Sequence, residues 1–367
     1  MISNAELCAG IRRQRGDDVV PVRVLARAHL KNPEIGSGAH FERVTLEIAG
    51  ESIAAVLKVI APDPICVTRE RRFYEELAPQ LRARVPRAYG AGAVAGRDDG
   101  WILLEEFPRA DRWRPARAFD VVRAIARVHA QTLAQAPEWL PRPFARDLHS
   151  ALAHVPEGLE RLEALQRREP LVRDLASPRA LELARELERV PERLRRAFAD
   201  SPEALIHRDL HPGNVWLPRA AEPILFDWEV VSAGPPVFDV TLLCQYLAVR
   251  QLRIPGRSAE VGFFVPGGPS FEKLLAAYFD AFDRNATAPV PREAIASAAS
   301  GAFAWEALYR LGWAASQLES HMPRRALRLA RIPGLRLLGG LGDRAAMYVA
   351  WRAMFADFEP RAEALLR

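Results

Sequence analysis

The stretch that decides the fold, residues 205–239, reads LIHRDLHPGNVWLPRAAEPILFDWEVVSAGPPVFD. One acid, Asp209, precedes an amide, Asn214, by five residues, and a second acid, Asp227, follows a later apolar run. Phosphoryl transfer uses such a set. One carboxylate orients an acceptor hydroxyl and takes its proton, while an amide oxygen and a second carboxylate hold Mg²⁺ on the phosphates. The stretch therefore favours phosphoryl-transfer chemistry over a polar hairpin with scattered acids.

Two short apolar runs in this stretch, 215–217 and 223–226, are separated by a polar turn that contains proline. This pattern predicts a β-hairpin. Asp209 and Asn214 would then flank the loop that enters the hairpin, and Asp227 would lie at its exit. We expect the three oxygen-bearing side chains to converge from one loop and one strand end.

The motifs in this stretch are H-x-D-x-x-x-x-N at 207–214, FDWE at 226–229 and GPP-x-x-D at 234–239. In this combination they resemble the aminoglycoside phosphotransferase and choline kinase-like superfamily, whose members share the protein-kinase-like fold and phosphorylate small molecules. The resemblance implies that Asp209 is the catalytic base and that Asn214 and Asp227 bind Mg²⁺. It also implies that Asp239 braces the catalytic loop from a following helix.

The composition, 49% hydrophobic and 26% charged over 367 residues, is typical of a soluble globular protein. No apolar run approaches the ~18 residues of a transmembrane helix. The segment 1–18 lacks the apolar core of a secretory signal. The three cysteines match no metal or disulfide pattern. These features predict a reduced, cytoplasmic protein without a transmembrane segment.

The net charge of +5 is unevenly distributed. Residues 1–107 hold 15 basic and 15 acidic side chains, whereas the remainder holds 36 basic and 31 acidic ones. If the second part holds the acceptor site, a polycationic acceptor gains nothing from overall charge. No basic motif interleaved with aromatic residues is present, so we expect no nucleic-acid partner. The sequence does not predict the oligomeric state.

An opening helix and two strands are predicted at the N-terminus. Residues 21–30 alternate apolar and basic side chains, and 41–48 form a second candidate strand. Between them, the Gly-Ser-Gly at 36–38 forms a turn of small residues. In kinase-like folds such a turn lays backbone amides over the phosphates, which makes Ser37 a candidate nucleotide contact. A plain hairpin turn is the alternative.

The next strand, 52–60, places one lysine, Lys58, among apolar residues, where an unpaired charge is costly. A helix is predicted from Thr68, a plausible N-cap. In the family, a strand lysine contacts the α- and β-phosphates and is held by a helix glutamate. Lys58 and Glu70 match these positions, with Glu75 as the competing acid. The alternative for Lys58 is an exposed edge-strand lysine.

Residues 101–107, WILLEEF, form an apolar strand that passes into acids and then a proline. This resembles the hinge between kinase lobes. By resemblance, the adenine would contact main-chain groups near Glu105 and Phe107, with Leu104 packing behind it. We expect the domain boundary after Phe107, with an N-terminal domain at 1–107 and a C-terminal domain at 108–367.

The second part is predicted to be mainly helical. A strongly amphipathic helix at 116–134 carries His129, for which a buried structural role is favoured over a chemical one. An apolar helix is expected at 240–251 and a loop at 255–269. A helix over 291–319 holds aromatic and charged residues that fit either core packing or an acceptor wall, namely Trp305, Glu306, Tyr309, Arg310 and Trp313. The basic stretch 324–336 is interpreted as a solvated amphipathic face rather than an anion or membrane patch.

One departure from the family concerns Arg208, which stands where small-molecule members often carry glycine. In protein kinases, the arginine at this position meets a phosphate on a long activation loop. Only a short segment, 228–234, follows Asp227 here and leaves no room for such a loop, so no phosphorylation switch is expected. We hypothesise that Arg208 pairs with an internal acid such as Glu229.

Taken together, these features predict an α+β, bilobal protein-kinase-like fold, with an N-terminal antiparallel sheet lobe and a larger, mainly helical C-terminal lobe. The expected activity is that of an ATP- and Mg²⁺-dependent O-phosphotransferase with a small-molecule hydroxyl as acceptor. Antibiotics, amino alcohols, sugars and lipid-like alcohols all stay open as acceptors. A nucleotide-binding pseudokinase and a protein kinase are the rival interpretations.

Overall fold

A computed structural model describes residues 2–30, 40–60, 64–93, 100–107, 116–219, 221–247, 249–253, 262–266, 268–321, 327–328 and 339–367. The chain divides into two compact units. The first contains Met1–Trp113 together with Gly213–Val231, and the second contains Arg114–Pro212 and Ser232–Arg367. The hairpin that carries Asn214 and Asp227 therefore belongs with the N-terminal sheet, whereas Asp209 belongs to the second unit.

An antiparallel sheet forms the frame of the first unit. Within the described residues it has the strand order β1-β2-β3-β5-β4. The strands are β1 (Val22–Leu30), β2 (His40–Ile48), β3 (Glu51–Ile60), β4 (Ala88–Ala93) and β5 (Gly100–Glu105). Burial alternates along β2, as expected for a strand with one face on the core.

Helix α1 (Asn4–Arg15) packs against this sheet, and its N-terminus is fixed by a capping box. The Glu6 amide donates to the Ser3 hydroxyl (3.2 Å), and the Ser3 amide donates to the Glu6 carboxylate (2.8 Å). Gly10 allows close approach, since a Cβ there would lie 2.3 Å from a Trp101 ring atom. The apolar core between helix and sheet includes Leu7, Ile11, Leu46, Leu57, Trp101 and Leu103.

Helix α2 (Pro64–Arg72) continues through a π-helical turn, Phe73–Leu77. The predicted N-cap at Thr68 is wrong, because the helix starts four residues earlier, at Pro64. Proline suits the first helical turn, where its missing N–H has no intrahelical acceptor. The predicted hairpin is present as β7 (Val215–Trp216) and β8 (Ile224–Leu225), which pair antiparallel.

The second unit is mainly helical. Its helices are α3 (Arg117–Thr132), α4 (Leu148–Ala151), α5 (Val155–Arg168), α6 (Pro178–Arg189), α7 (Pro191–Phe198), α8 (Val237–Leu247), α9 (Phe271–Asn285), α10 (Arg292–Ser297), α11 (Ala299–His321) and α12 (Gly339–Leu366). Strands β6 (Ala204–Ile206) and β9 (Ser232–Gly234) pair antiparallel, as do β10 (Val249–Arg253) and β11 (Gly262–Pro266).

Two predictions for this unit are wrong in detail. The helix expected over 240–251 ends at Leu247, and the chain then enters β10. The loop expected over 255–269 contains β11, which pairs with β10. The apolar run of the helix favours a longer helix, although the residues after Leu247, VRQLR at 249–253, are mostly polar.

Helices α5 and α11 approach closely because each carries a glycine at the crossing. A Cβ on Gly158 would lie 1.9 Å from the Gly312 carbonyl oxygen. Among the helices that the structure describes, none combines the length and the apolar character needed to cross a membrane.

Candidate active site

Lys58 lies in β3, with its side chain turned into the first unit and 6% exposed. Its ammonium donates to the Glu70 carboxylate over 2.8 Å, and Glu70 itself is fully buried on α2. This resolves the competition between the two helix acids, because the Glu75 carboxylate faces Arg71 at 3.6 Å instead. A buried lysine is stable only when paired, and this pairing makes the exposed edge-strand interpretation wrong.

Two further carboxylates reach the same ammonium. Lys58 Nζ lies 2.5 Å from Asp227 Oδ1 and 3.2 Å from Glu229 Oε2. Burial lowers the pKa of Lys58, but attraction from Glu70, Asp227 and Glu229 outweighs it and holds the pKa well above its usual range. Burial raises the pKa of Glu70 to about 7, and repulsion from Asp227 and Glu229 opposes the lowering effect of Lys58. Three acids thus crowd one ammonium.

Asn214 and Asp227 are brought to the same end of the hairpin. Val215 pairs with Leu225, and the next main-chain link is the Phe226 amide, which donates to the Asn214 carbonyl oxygen (3.1 Å). Asp227 follows directly. Its φ of +65° lies in the left-handed region, which non-glycine residues rarely adopt. Backbone strain at a residue such as Asp227 persists only where the surrounding structure holds that residue in place.

Trp228 fixes the segment just after Asp227. Its indole N–H donates to the Leu225 carbonyl oxygen over 2.9 Å, and its ring stacks on Phe73 with centroids 4.3 Å apart. Phe73 lies three residues after Glu70, so the strand end and the helix that supply two of the carboxylates are locked together by aromatic packing.

The predicted hinge lies beside the same hairpin. Leu104 and Glu105 end β5, opposite Val56 and Ala55 of β3. The Phe107 ring lies 5.3 Å from that of Trp216 and 6.3 Å from that of Phe226. The first unit therefore brings together Lys58, Glu70, the hinge and both candidate metal ligands. Ser37, the predicted phosphate contact, lies outside the described residues, as does most of the basic stretch 324–336.

In the second unit, Asp239 at the start of α8 organises the loop that follows β6. Its carboxylate accepts hydrogen bonds from the amides of His207 (2.7 Å) and Arg208 (2.8 Å). Arg208 has a φ of +68°, which turns the chain sharply there. Asp239 is fully buried and contacts the loop as the resemblance implies.

His129 supports this brace from α3. It is fully buried, with Nε2 3.2 Å from an Asp239 oxygen and Nδ1 2.9 Å from the Tyr278 hydroxyl. A carboxylate can only accept, so Nε2 carries the proton, and in the neutral ring Nδ1 accepts from Tyr278. Burial holds the pKa of Tyr278 well above its ordinary value, so its hydroxyl stays a donor. The predicted buried position of His129 is confirmed.

Asp209 is held among basic groups. Its Oδ1 lies 3.4 Å from the Arg310 guanidinium, and its Oδ2 lies 3.5 Å from His211 Nε2. Burial raises the pKa of Asp209, but hydrogen bonding and attraction from His211, followed by attraction from Arg310 and His207, hold it below its ordinary value. The carboxylate is therefore ionised at neutral pH.

Arg310 and Glu229 are two functional candidates that sequence reasoning did not assign. Arg310 came closest, since Glu306 and Arg310 interrupt an otherwise apolar helix. Glu306 is buried, with 1% of its surface exposed, and accepts from Arg310 Nε over 2.5 Å. The signal for Glu229 was its position two residues after Asp227.

Arg208 lies over two aromatic rings of α11. Its guanidinium is 5.1 Å from the ring centroid of Trp305 and 5.6 Å from that of Tyr309. Trp305 is fully buried, whereas Trp313 is 41% exposed. The predicted Arg208–Glu229 pair joins residues of different units and stays a prediction.

The carboxylates of the first unit have the chemistry of a cation site. One oxygen from each of Glu70, Asp227 and Glu229 lies within 4.8 Å of the others. Oxygen ligands of this kind suit hard cations such as Mg²⁺. With all three acids ionised, a single ammonium leaves the cluster with a surplus of negative charge. Among the described residues, Glu70 Oε1 is buried without a hydrogen-bond partner. The residues present therefore fit a divalent cation.

The chain is similar to a known protein family and to several solved structures. Residues 32–308 match the sequence model of the phosphotransferase enzyme family. No curated protein matches the sequence. A choline kinase from Cryptosporidium parvum Iowa II is similar in structure, with a TM-score of 0.53 and 10% identity over 95% of this chain and 90% of that chain. This likeness confirms the predicted fold class.

Two further solved structures are similar at lower TM-scores. A macrolide 2′-phosphotransferase from Brachybacterium faecium gives 0.47, with 16% identity over 88% of this chain and 97% of that chain. A choline kinase from Streptococcus pneumoniae also gives 0.47, with 15% identity over 90% and 94%. The match to the family model covers most of the chain. The chain therefore belongs to the phosphotransferase enzyme family, as its motifs predict.

Proposed function

We propose that the protein transfers the γ-phosphate of ATP to a hydroxyl group of a small molecule, with Mg²⁺ as the metal. The observation that carries this proposal is the buried Lys58 ammonium, 2.8 Å from Glu70 and 2.5 Å from Asp227. A lysine fixed in this way would supply a positive charge to nucleotide phosphates, and the neighbouring Asp227 would supply an oxygen ligand to the metal.

Asp227 and Asn214 would hold Mg²⁺, with Glu229 as an additional oxygen donor. When bound, the metal neutralises charge on the phosphates. Asp227 contacts the Lys58 ammonium over 2.5 Å, so one carboxylate would serve both the lysine and the metal, while Lys58 would remain paired with Glu70. The surplus of acids around Lys58 supports this arrangement.

The adenine would lie at the hinge. The Glu105 amide donates to the Arg87 carbonyl oxygen (2.9 Å), and the Glu106 amide donates to that of Ala54 (3.3 Å). Since both donors are committed, we assign the main-chain contact to Phe107, with Leu104 packing against the base.

Asp209 would orient the acceptor hydroxyl and accept its proton. A lowered pKa weakens a carboxylate as a base, but it keeps the group ionised, and phosphoryl transfer depends mainly on positioning and charge stabilisation. The family's catalytic role for Asp209 is therefore compatible with its basic surroundings.

Among the described residues, the Arg310 guanidinium beside Asp209 disfavours a polycationic acceptor, so we favour an uncharged or weakly charged one. Arg310, His207 and His211 surround Asp209, and the nearby acid Glu306 is already paired with Arg310. A polycationic aminoglycoside would gain little attraction from these described residues. A hydroxylated antibiotic of lower charge, such as a macrolide, or a primary metabolite such as a sugar or amino alcohol, fits better.

The test is ATP consumption in the presence of Mg²⁺ with a panel of such compounds, including macrolides, aminoglycosides, choline, ethanolamine and sugars. The Asp209→Ala variant is the control. Turnover with one class that the variant loses would support the proposal and identify the acceptor. Binding of ATP without phosphorylation of any compound would favour a pseudokinase, and failure to bind ATP would overturn the proposal.

A further inference from the structure

We propose that Arg310 is a positioning residue for Asp209 and that Glu306 holds Arg310 in place. This inference rests on the proposed function, because it assumes that Asp209 orients the acceptor hydroxyl. Arg310 comes from α11, about one hundred residues along the chain from Asp209, and no motif of the 205–239 stretch contains it.

The anchor of this arrangement is the pair Glu306–Arg310. The two residues are four apart on α11, the spacing at which helix side chains meet. Glu306 is 1% exposed, and Arg310 Nε contacts its Oε1 over 2.5 Å. Breaking a buried ion pair leaves an uncompensated charge, so the two partners hold each other strongly. The guanidinium is thereby fixed on a long helix rather than on a loop, which suits precise placement.

The other end of the guanidinium faces the candidate base. Arg310 Nη2 lies 3.4 Å from Asp209 Oδ1, longer than the 2.7–2.9 Å of a strong charge-assisted hydrogen bond. His211 approaches the other oxygen at 3.5 Å. The two oxygens therefore have separate basic neighbours on separate elements. A carboxylate has about four lone-pair sites, so these two contacts alone do not saturate it.

Partial exposure supports a role at the site. The Arg310 side chain is 23% exposed and that of Asp209 is 29% exposed, whereas Glu306 is closed off. A purely structural arginine would neutralise Glu306 and need contact no further acid. Here the guanidinium extends past its buried partner to the carboxylate that must meet the acceptor.

Substitution at Arg310 tests the proposal with the acceptor found in the panel above, or with slow ATP hydrolysis to water. We expect Arg310→Met to lower kcat by about 10²-fold, because misplacement of a catalytic group has effects of this size. The KM for ATP should change less than about threefold. Arg310→Lys should recover part of kcat, since it restores the charge but not the planar fork.

The matched control is Arg361→Met. Arg361 also pairs with an acid four residues away on a helix, Asp357, at 2.7 Å. Each guanidinium lies over an aromatic ring, that of Phe303 for Arg361 and that of Tyr309 for Arg310. Loss of Arg361 should leave kcat unchanged.

Arg310→Met alone leaves the buried Glu306 carboxylate unpaired and should lower thermal stability. The double variant Glu306→Gln with Arg310→Met removes both charges of the pair, so it should regain that stability while kcat stays low.

The outcomes separate the two proposals. If the double variant recovers both stability and kcat, Arg310 only neutralises Glu306 and the inference is overturned. The inference is also overturned if Arg310→Met has the same kcat as Arg361→Met while Asp209→Asn is inactive. In that case the proposed function still stands, because Asp209 is still required. If Asp209→Asn keeps wild-type turnover, the proposed role of Asp209 fails and the inference fails with it.

Discussion

The key carboxylates of the two units have different neighbours, which are other acids in the first unit and two histidines and an arginine in the second. In the first, Glu70, Asp227 and Glu229 crowd a single ammonium, and the pKa of Glu70 is raised to about 7 by burial and by its acidic neighbours. In the second, Asp209 lies among His207, His211 and Arg310, which together lower its pKa despite burial. One unit thus has negative charge in excess, which a cation would satisfy. The other keeps one carboxylate ionised through its hydrogen-bonding and basic neighbours.

This contrast suggests a division of labour. A surplus of oxygen ligands suits Mg²⁺ and the nucleotide phosphates that it carries. A lone ionised carboxylate with basic neighbours suits a hydroxyl that must be oriented before it attacks. We propose that the first unit binds Mg²⁺ and ATP and that the second prepares the acceptor.

The largest expected effect is on turnover. Asp209→Asn preserves shape but removes the charge that orients the hydroxyl and takes its proton, so kcat should fall by about 10³-fold. The KM for ATP should change little, because ATP is assigned to the other unit. Steady-state kinetics with the acceptor identified above provides the measurement. A loss confined to ATP affinity would contradict the division.

A smaller loss is expected from Glu70→Gln. Without the carboxylate, Lys58 keeps Asp227 and Glu229 as partners but loses its anchor on α2, so ATP-dependent turnover should fall by about 10- to 100-fold. Glu75→Gln is the matched control on the same helix, since Glu75 faces Arg71. Equal losses in both variants would break the assignment of Glu70.

The excess of acids around Lys58 should also change how the unfolding free energy depends on pH. The folded-state pKa of Glu70 is raised to about 7 from an ordinary value of 4.5. Folding therefore favours the protonated acid. Its stabilising contribution is fully present below about pH 4.5 and is lost as pH rises through about 7. Without Mg²⁺, the unfolding free energy of wild type should fall relative to Glu70→Gln between about pH 5 and about pH 8, by on the order of 2 kcal/mol.

Urea unfolding of both proteins across that range measures this difference, with Glu75→Gln again as control. Added Mg²⁺ should reduce the difference, because a bound cation favours ionised carboxylates. Parallel pH curves for wild type and Glu70→Gln would show that the acids are not crowded as described.

The smallest expected effect concerns Arg208, whose φ of +68° is strained for any residue with a Cβ. Arg208→Gly and Arg208→Ala both remove the guanidinium from Trp305 and Tyr309, but only glycine relieves the backbone. The glycine variant should be more stable than the alanine variant by about 1 kcal/mol in urea unfolding. Equal stability would mean that the loop relaxes to another conformation. If the alanine variant matched wild type in both activity and stability, the hypothesised pairing with Glu229 would be unimportant.

Much of this arrangement was readable from the sequence because its parts are local. The Asp209–Asn214 spacing lies within one loop, the hairpin has its own turn residues, and a single lysine in an apolar strand calls for a partner. Glu70 could be named only together with Glu75, since helix phase had to be observed. The contacts of the two acids decide between them, because Glu70 contacts Lys58 whereas Glu75 faces Arg71.

The residues that were missed depend on long-range packing. Arg310 reaches Asp209 from a helix about one hundred residues away, and nothing in its own neighbourhood predicts that contact. Glu229 joins Lys58 because Trp228 and the strained Asp227 redirect the chain at the hairpin exit. The acceptor is unspecified for the same reason, because the residues that would contact it are scattered over the second unit.

The most direct test of the division of labour is Mg²⁺–ATP binding by isothermal titration calorimetry to wild type, Lys58→Met and Asp209→Asn. The account predicts that Asp209→Asn binds with wild-type affinity and that Lys58→Met binds at least about tenfold more weakly, a difference of about 1.4 kcal/mol. Unchanged affinity in Lys58→Met, or a comparable loss in Asp209→Asn, would contradict it.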